Sequence, residues 1–379
     1  MKTENSSLRG RKGVDTVRFP ITLPLYQGYG SHYFEVYVGS PFPQRQTLLV
    51  DTGSDYTAIP CSQCKDCGSH LDEVFNEQNS HSFHQIECPE DDDCEIKASY
   101  AEGSSWKGVL VHDVVHLGRV ENHNVNFDST FVCMESNNNE FRKQLANGIV
   151  GMNASPRSFP NQLFSSGATS RKSFSICYRQ DLYVSRRGTI AGAITFGGAD
   201  KRLYGEGKGM KYANLFTRNG YYFVNIRKIW FHTEGSDNLF RVKSEIELPG
   251  ASGNFLVPSE AILDSGTTDT LLDISYKELF DEAWKQWTGS NFPSDEVHLS
   301  PEELKLWPTI IIQLEGAFTN EKKKSDTTPN LSSSSVSDFD DNYSDDVLVV
   351  LHPYKYMKFS LSSESYRPQI SFHDKYESR

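Results

Sequence analysis

Two short turns in this sequence could do chemistry together: Asp51-Thr52-Gly53-Ser54 and Asp264-Ser265-Gly266-Thr267. Each presents a carboxylate followed by a hydroxyl residue and a glycine, and glycine permits the backbone of a tight turn. The hydroxyls of Thr52, Ser54, Ser265 and Thr267 can orient the carboxylates or brace one turn against the other. Two carboxylates held within hydrogen-bonding distance cannot easily both ionise, so they share a proton. One can then take a proton from water while the other polarises a carbonyl and protonates a leaving nitrogen. The pair titrates as a unit, so neither residue is assigned as base or acid. Asp51 and Asp264 are the candidate catalytic pair, and this chemistry needs no metal or organic cofactor. One such triplet recurs by chance, whereas two of them, each after an apolar strand, carry far more weight.

The elements that must position the turns also recur. Tyr33-Phe34-Glu35-Val36-Tyr37-Val38-Gly39 alternates like a half-buried strand, and the apolar run Gln46–Val50 delivers Asp51 into its turn. Further β-type runs follow at 107–117 and 125–132. A second cycle begins near Tyr221 with Tyr222–Ile226, and Ala261-Ile262-Leu263 leads into Asp264 as Leu48-Leu49-Val50 leads into Asp51. Tyr276–Trp287 has helical spacing, with Trp284 and Trp287 as core residues, and Pro308–Ile312 is another strand. Turn punctuation between short strands predicts an all-β fold built by internal duplication. Residues 319–346 are low in complexity, with Lys322-Lys323-Lys324, four serines at 332–335 and an Asp-rich run, and are expected to be a disordered surface insertion.

At 379 residues the chain can bury two cores. A hydrophobic content of 37% and a mean hydropathy of −0.53 suit a soluble globular protein. The net charge of −12, with no stripe of Lys or Arg, excludes nucleic acid as a partner. No apolar stretch reaches the roughly 18 residues of a transmembrane helix. Five of the seven cysteines, Cys61, Cys64, Cys67, Cys88 and Cys94, fall in one stretch, followed by Cys133 and Cys177. They make either a disulfide-stapled loop or a metal site, since Cys61, Cys64 and Cys67 with His70, His81 and His84 could hold zinc. Cys133 and Cys177 could be a disulfide or two buried thiols, and the odd count leaves one thiol over. Sequons at Asn5, Asn153, Asn330 and Asn342 fit a secretory route. Met1–Val14 is polar and basic and contains no signal-peptide core, so a missing or mis-started N-terminus is expected.

Over residues 28–360 the chain resembles the pepsin-like aspartic proteases. Tyr100, in Tyr100-Ala101-Glu102-Gly103-Ser104-Ser105, resembles the tyrosine of a β-hairpin flap, with Gly103 and Ser104 as further substrate-binding candidates. Asn147-Gly148-Ile149-Val150-Gly151 resembles the element threaded by the first active loop. The Cys-rich insert at 61–95 and the flap sequence Gly103–Gly108 are most similar to the nepenthesin and plasmepsin V branch. There the insert is a disulfide-bonded surface loop, which makes all seven cysteines disulfide candidates. The resemblance implies a bilobal fold: a leader over 1–27, an N-terminal lobe over 28–205 and a C-terminal lobe over 206–379. It also implies a monomeric aspartic-type endopeptidase acting on extended peptides, in the secretory or endomembrane lumen (ER, Golgi, endolysosomal) or outside the cell. The rival is an inactive homologue that binds peptides or partners.

Some residues keep a plainer reading. Tyr100 could be a cross-strand aromatic, and Asp55 and Asp269 fit solvated or structural roles. Ser54 and Ser265 lack the Gly-x-Ser-x-Gly elbow of a serine hydrolase. The match also has a departure. No glycine follows Gly316, and Phe359–Arg379 is polar and unlike the expected closing strands. An incomplete second lobe is therefore expected, with backbone donors and apolar surface near Asp264 left without partners.

Overall fold

The structure is a computed structural model that describes residues 20–87, 95–118, 125–179, 186–203, 210–232, 244–246, 259–317, 345–360 and 362–373. Cys88, Cys94, the sequons at Asn5, Asn330 and Asn342, and the 319–346 insertion apart from its last two residues lie outside the described residues.

Alternation builds the first sheet. In His32–Val38, Phe34, Val36 and Val38 are fully buried, and this strand pairs antiparallel with Gln44–Asp51. Gln44–Asp51 is buried from Gln46 onward, as a continuous apolar run covered on both faces should be. Gly148–Gly151 runs parallel beside it, placing Leu48 against Gly148 and Asp51 against Gly151. Ala58–Pro60, just past the Asp51 turn, lies on the other side of Gly148–Gly151 and beside the long strand Asn126–Asn137. These belong to an eleven-stranded sheet around a core that includes Leu25, Phe34, Leu48, Phe131, Phe159 and Phe196. Ile21–Gln27, assigned above to the leader, is one of its inner strands and pairs with Ile190–Phe196. The inward alternation of Leu23 and Leu25 explains that difference.

The Cys-rich insert is pinned to this sheet. Cys61 is bridged to Cys133 with Cα atoms 5.3 Å apart, and Cys64 to Cys67. The pairing of Cys133 with Cys177 is not formed, and Cys177 is a free thiol. Sheet order gives the reason. Ile59 faces Cys133 across a parallel pair, which brings Cys61 to that cysteine, while Phe174–Tyr178 stands at the far end of the sheet. The zinc arrangement is not assembled either. Its three sulfurs are divided between two bridges, and the His70 nitrogens lie 2.8 and 2.6 Å from the carbonyls of Gln144 and Cys67.

The second sheet centres on Tyr221–His232, which pairs with Leu215–Arg218, Ser244–Ile246, Ser259–Ile262 and Thr309–Leu314. The helix Lys277–Thr288 buries Phe280, Ala283 and Trp284 against Phe231, Phe292 and Tyr356, and Trp287 packs on the same core. Gly289 ends the helix at φ +79°, with its N–H on the Lys285 carbonyl.

Much of the segment up to His373 is strand, which corrects the reading of Phe359–Arg379 over its described residues. Met357–Ser360 and Ser365–Pro368 form a hairpin, and Ile370–His373 runs parallel to Thr270–Asp273, the strand that follows the Asp264 turn. Alternation explains it: Met357, Tyr366 and Ile370 are buried in the core, and Phe372 lies 5.4 Å from Phe280. The polar residues between them made the segment look unlike a strand.

The two turns are nevertheless supported unequally. Among the described residues Ser259–Ile262 pairs with Tyr221–His232 alone. Ile262 and Leu263 are 49% and 47% exposed, whereas Leu49 and Val50 are 9% and 1% exposed. The apolar surface expected beside Asp264 is present.

Candidate active site

Each aspartate is oriented by its own turn. Asp51 receives the Gly53 N–H on Oδ1 at 2.8 Å and the Ser54 hydroxyl on Oδ2. Asp264 receives the Gly266 N–H on Oδ1 at 2.9 Å and the Thr267 hydroxyl on Oδ2 at 2.6 Å. The turns are also cross-braced. The Thr52 N–H donates to Ser265 Oγ at 3.1 Å, and the Ser265 N–H donates to Thr52 Oγ1 at 2.8 Å. The Thr52 hydroxyl in turn donates to the Leu263 carbonyl, and the Ser265 hydroxyl to the Val50 carbonyl. Glycine is needed at the centre, because a Cβ on Gly266 would strike the Asp51 carboxyl and one on Gly53 would lie 3.0 Å from Oδ1 of both aspartates.

The carboxyls of Asp51 and Asp264 are thus within hydrogen-bonding reach of each other. Asp51 is 4% exposed, and burial, followed by the neighbouring Asp264 charge, raises its pKa to about 7. Hydrogen bonds from Ser54 and Gly53 oppose that rise. Asp264 is only partly buried. The site therefore joins a dry carboxyl to a wetter one, an arrangement that can hold one shared proton and activate water.

The first aspartate has a roof. Glu95–Ser99 and Ser105–Leu117 form a hairpin with Tyr100 near its tip, and Gly103 takes φ +90° in the turn. The Tyr100 hydroxyl lies 2.9 Å from Ser54 Oγ and accepts the Trp106 indole N–H at 3.1 Å. The single Ser54 proton goes to Asp51, so Tyr100 donates to Ser54. A directional chain runs from Trp106 through Tyr100 and Ser54 to Asp51. Burial, with Asp51 next, pushes the Tyr100 pKa up, so the phenol stays a donor. Trp106, buried to 3% exposure, had no role in the sequence reading. Its one signal was an indole just past the flap turn.

Other candidates are placed as follows. Ser104 is buried and its hydroxyl accepts the Glu140 N–H, so that side chain supports the hairpin from beneath. Asn147 accepts both the N–H and hydroxyl of Thr47 and holds Gly148–Gly151 in place, and the Met152 N–H donates to the Asp51 carbonyl. Asp55 accepts the Asn153 side-chain amide, and Asp269 pairs with Arg367 at 3.1 Å. Asn153 is 1% exposed, which removes it as a glycan acceptor.

Comparison with known proteins finds aspartic proteases among the relatives. Residues 32–198 match the family described as Xylanase inhibitor N-terminal. Aspartic protease 5 of Toxoplasma gondii is 29% identical over 228 residues, covering 50% of this chain and 22% of the relative. Aspartic proteinase nepenthesin-2 of Nepenthes gracilis is 26% identical over 286 residues, covering 72% of this chain and 58% of the relative. Plasmepsin V of Plasmodium falciparum is 29% identical over 164 residues, covering 39% and 28%.

Residues 32–198 match a pepsin-like aspartic protease domain, and the proteins to which the chain is similar are aspartic proteases.

It spans less than two thirds of the length of each of these relatives. It carries an all-β, pepsin-like fold, with both Asp turns brought to one point and the Tyr100 hairpin over the first.

Proposed function

We propose that the chain is an aspartic endopeptidase that hydrolyses peptide bonds with a water molecule activated between Asp51 and Asp264. The observation that carries this reading is the reciprocal brace of Thr52 and Ser265, which holds two carboxyls of unequal burial within reach of a shared proton. One carboxylate takes a proton from water as it attacks the scissile carbonyl. The other donates a hydrogen bond to that carbonyl and passes its proton to the leaving nitrogen. Tyr100 closes over the substrate and, through Ser54, fixes the Asp51 carboxyl. The two disulfides of the first lobe suit an oxidising compartment, which supports action in the secretory lumen or outside the cell.

A second reading, peptide or partner binding without turnover, draws on the exposure of Ile262 and Leu263 beside Asp264. A cleavage assay separates the two. The endopeptidase reading expects pepstatin-sensitive cleavage of unstructured peptides near about pH 4–6, lost on Asp51→Asn. No cleavage by the parent chain, or cleavage that survives that substitution, favours the binding reading.

A further inference from the structure

Beside Asp264 the surface is cationic, in a chain whose formal net charge is −12. The closing hairpin sets Lys358 opposite Arg367, and Arg367 pairs with Asp269 just past the Asp264 turn. Arg187 belongs to the first half of the chain, and its guanidinium lies 4.1 Å from the ring centre of Tyr29. The turn holding Tyr29 and Gly30 abuts the Asp264 turn, because a side chain on Gly30 would meet Thr268 at 2.9 Å.

Lys358 ties these groups together. Its enclosure by protein, then Arg367 and Arg187, push its ammonium pKa down, and Asp269 is the carboxylate that opposes them. The residue remains open to solvent and has no ion pair among the described residues. His32 has its pKa lowered by burial and by Lys358, and its ring lies 4.6 Å from that of Tyr178. The Tyr178 phenol, pushed up by burial, is in turn within reach of the Asp264 charge. The ring contact of His32 with Tyr178 thus lies between the Lys358 charge and the candidate catalytic carboxyl, each of which acts on one of the two rings.

We propose that Arg187, Lys358 and Arg367 wall a substrate subsite beside Asp264 that takes an acidic side chain of the bound peptide. This inference rests on the endopeptidase reading for its placement, and it names the substrate class. Arg367, Arg187 and Lys358 gather around the one carboxylate of Asp269, and such an excess of positive charge attracts an anion. A Glu or Asp side chain entering the subsite would give Lys358 a carboxylate partner and offset the repulsion from Arg367 and Arg187. A neutral isostere gains neither effect, and a basic side chain is repelled.

The test is a peptide series in which each position flanking the scissile bond is in turn Glu, Gln or Lys, with kcat/KM measured for each. The expected result is a Glu preference over Gln of roughly three- to tenfold at one position, shrinking at high salt. Lys358→Ala should abolish that preference and Lys358→Glu should turn it towards Lys. Cleavage with no acidic preference at any position, or a preference unchanged by Lys358→Glu, overturns the subsite and leaves the endopeptidase reading intact. If no peptide is cleaved, that reading fails, and fluorescence anisotropy of the same labelled peptides on the intact chain decides the subsite. Tighter binding of a Glu peptide, lost in Lys358→Ala, supports it, and equal binding of Glu and Gln peptides overturns it.

Discussion

Thr52 and Ser265 hold each other symmetrically: each hydroxyl accepts the other's backbone N–H and donates to the carbonyl before the other's aspartate. The four bonds join two strands that reach the site from separate sheets. Thr52→Ala should strand the Ser265 N–H and the Leu263 carbonyl, costing about 2–4 kcal/mol. Thr52→Ser and Ser265→Thr keep the hydroxyl and should cost less than about 1 kcal/mol. A double-mutant cycle with Ser265→Ala, followed by denaturant unfolding, should return a coupling of about 1–3 kcal/mol. Additive losses would show that the brace does not act as a unit.

Asp51 makes stability depend on pH in a stated direction. Its folded pKa of about 7 lies above the ordinary aspartate value of 3.8, so the folded chain holds the proton more tightly than the unfolded chain. The stability contributed by that proton is complete below the lower value and is lost as pH rises to the upper one. Asp51→Asn removes the burden of an ionised buried carboxyl. The variant should unfold at higher temperature than the parent at pH 7.5, by on the order of a few kcal/mol of stability, with the gap closing near pH 4. A gap that widens towards acid would contradict the assignment.

Activity should follow the same group. The pair works with one proton, so kcat/KM for a neutral peptide should fall as pH rises through about 7. A descending limb placed instead at ordinary carboxylate pKa values would mean that Asp51 is not held in the buried, proton-sharing state.

The Trp106–Tyr100–Ser54 chain predicts an effect at a distance. Trp106→Phe keeps most of the buried ring and removes the indole donor to Tyr100. We expect kcat/KM to fall roughly three- to thirtyfold, with Tyr100→Phe and the double variant falling to a similar level. Independent losses in the double variant would show that Trp106 acts only by packing.

Much of this was legible in the sequence. The two Asp turns and the strands before them were readable because glycine, hydroxyl and carboxylate recur at fixed offsets. The cross-brace itself was readable only as a possibility, since Thr52 and Ser265 meet through tertiary structure. The Cys61–Cys133 bridge was not readable, because its partners are separated by 72 positions and several pairings were open. That bridge closes a long loop, and Cys133→Ala should cost about 4 kcal/mol by loop entropy. The closing strands were misread because the polar residues of Ser365–His373 hid an alternation in which Tyr366, Pro368 and Ile370 point inward. Lys358, Arg367 and Arg187 carried no local signal, since they converge only once the hairpin and the Tyr29 turn are in place.

The central claim is that Asp51 and Asp264 act as one proton-sharing group. It is tested most directly by the rate of peptide cleavage at mildly acidic pH for the parent chain, Asp51→Asn, Asp264→Asn and the double variant. The account predicts that each single substitution removes at least about a thousandfold of the rate and that the double variant loses no more. A parent chain that cleaves nothing, or single losses that multiply in the double variant, would contradict it.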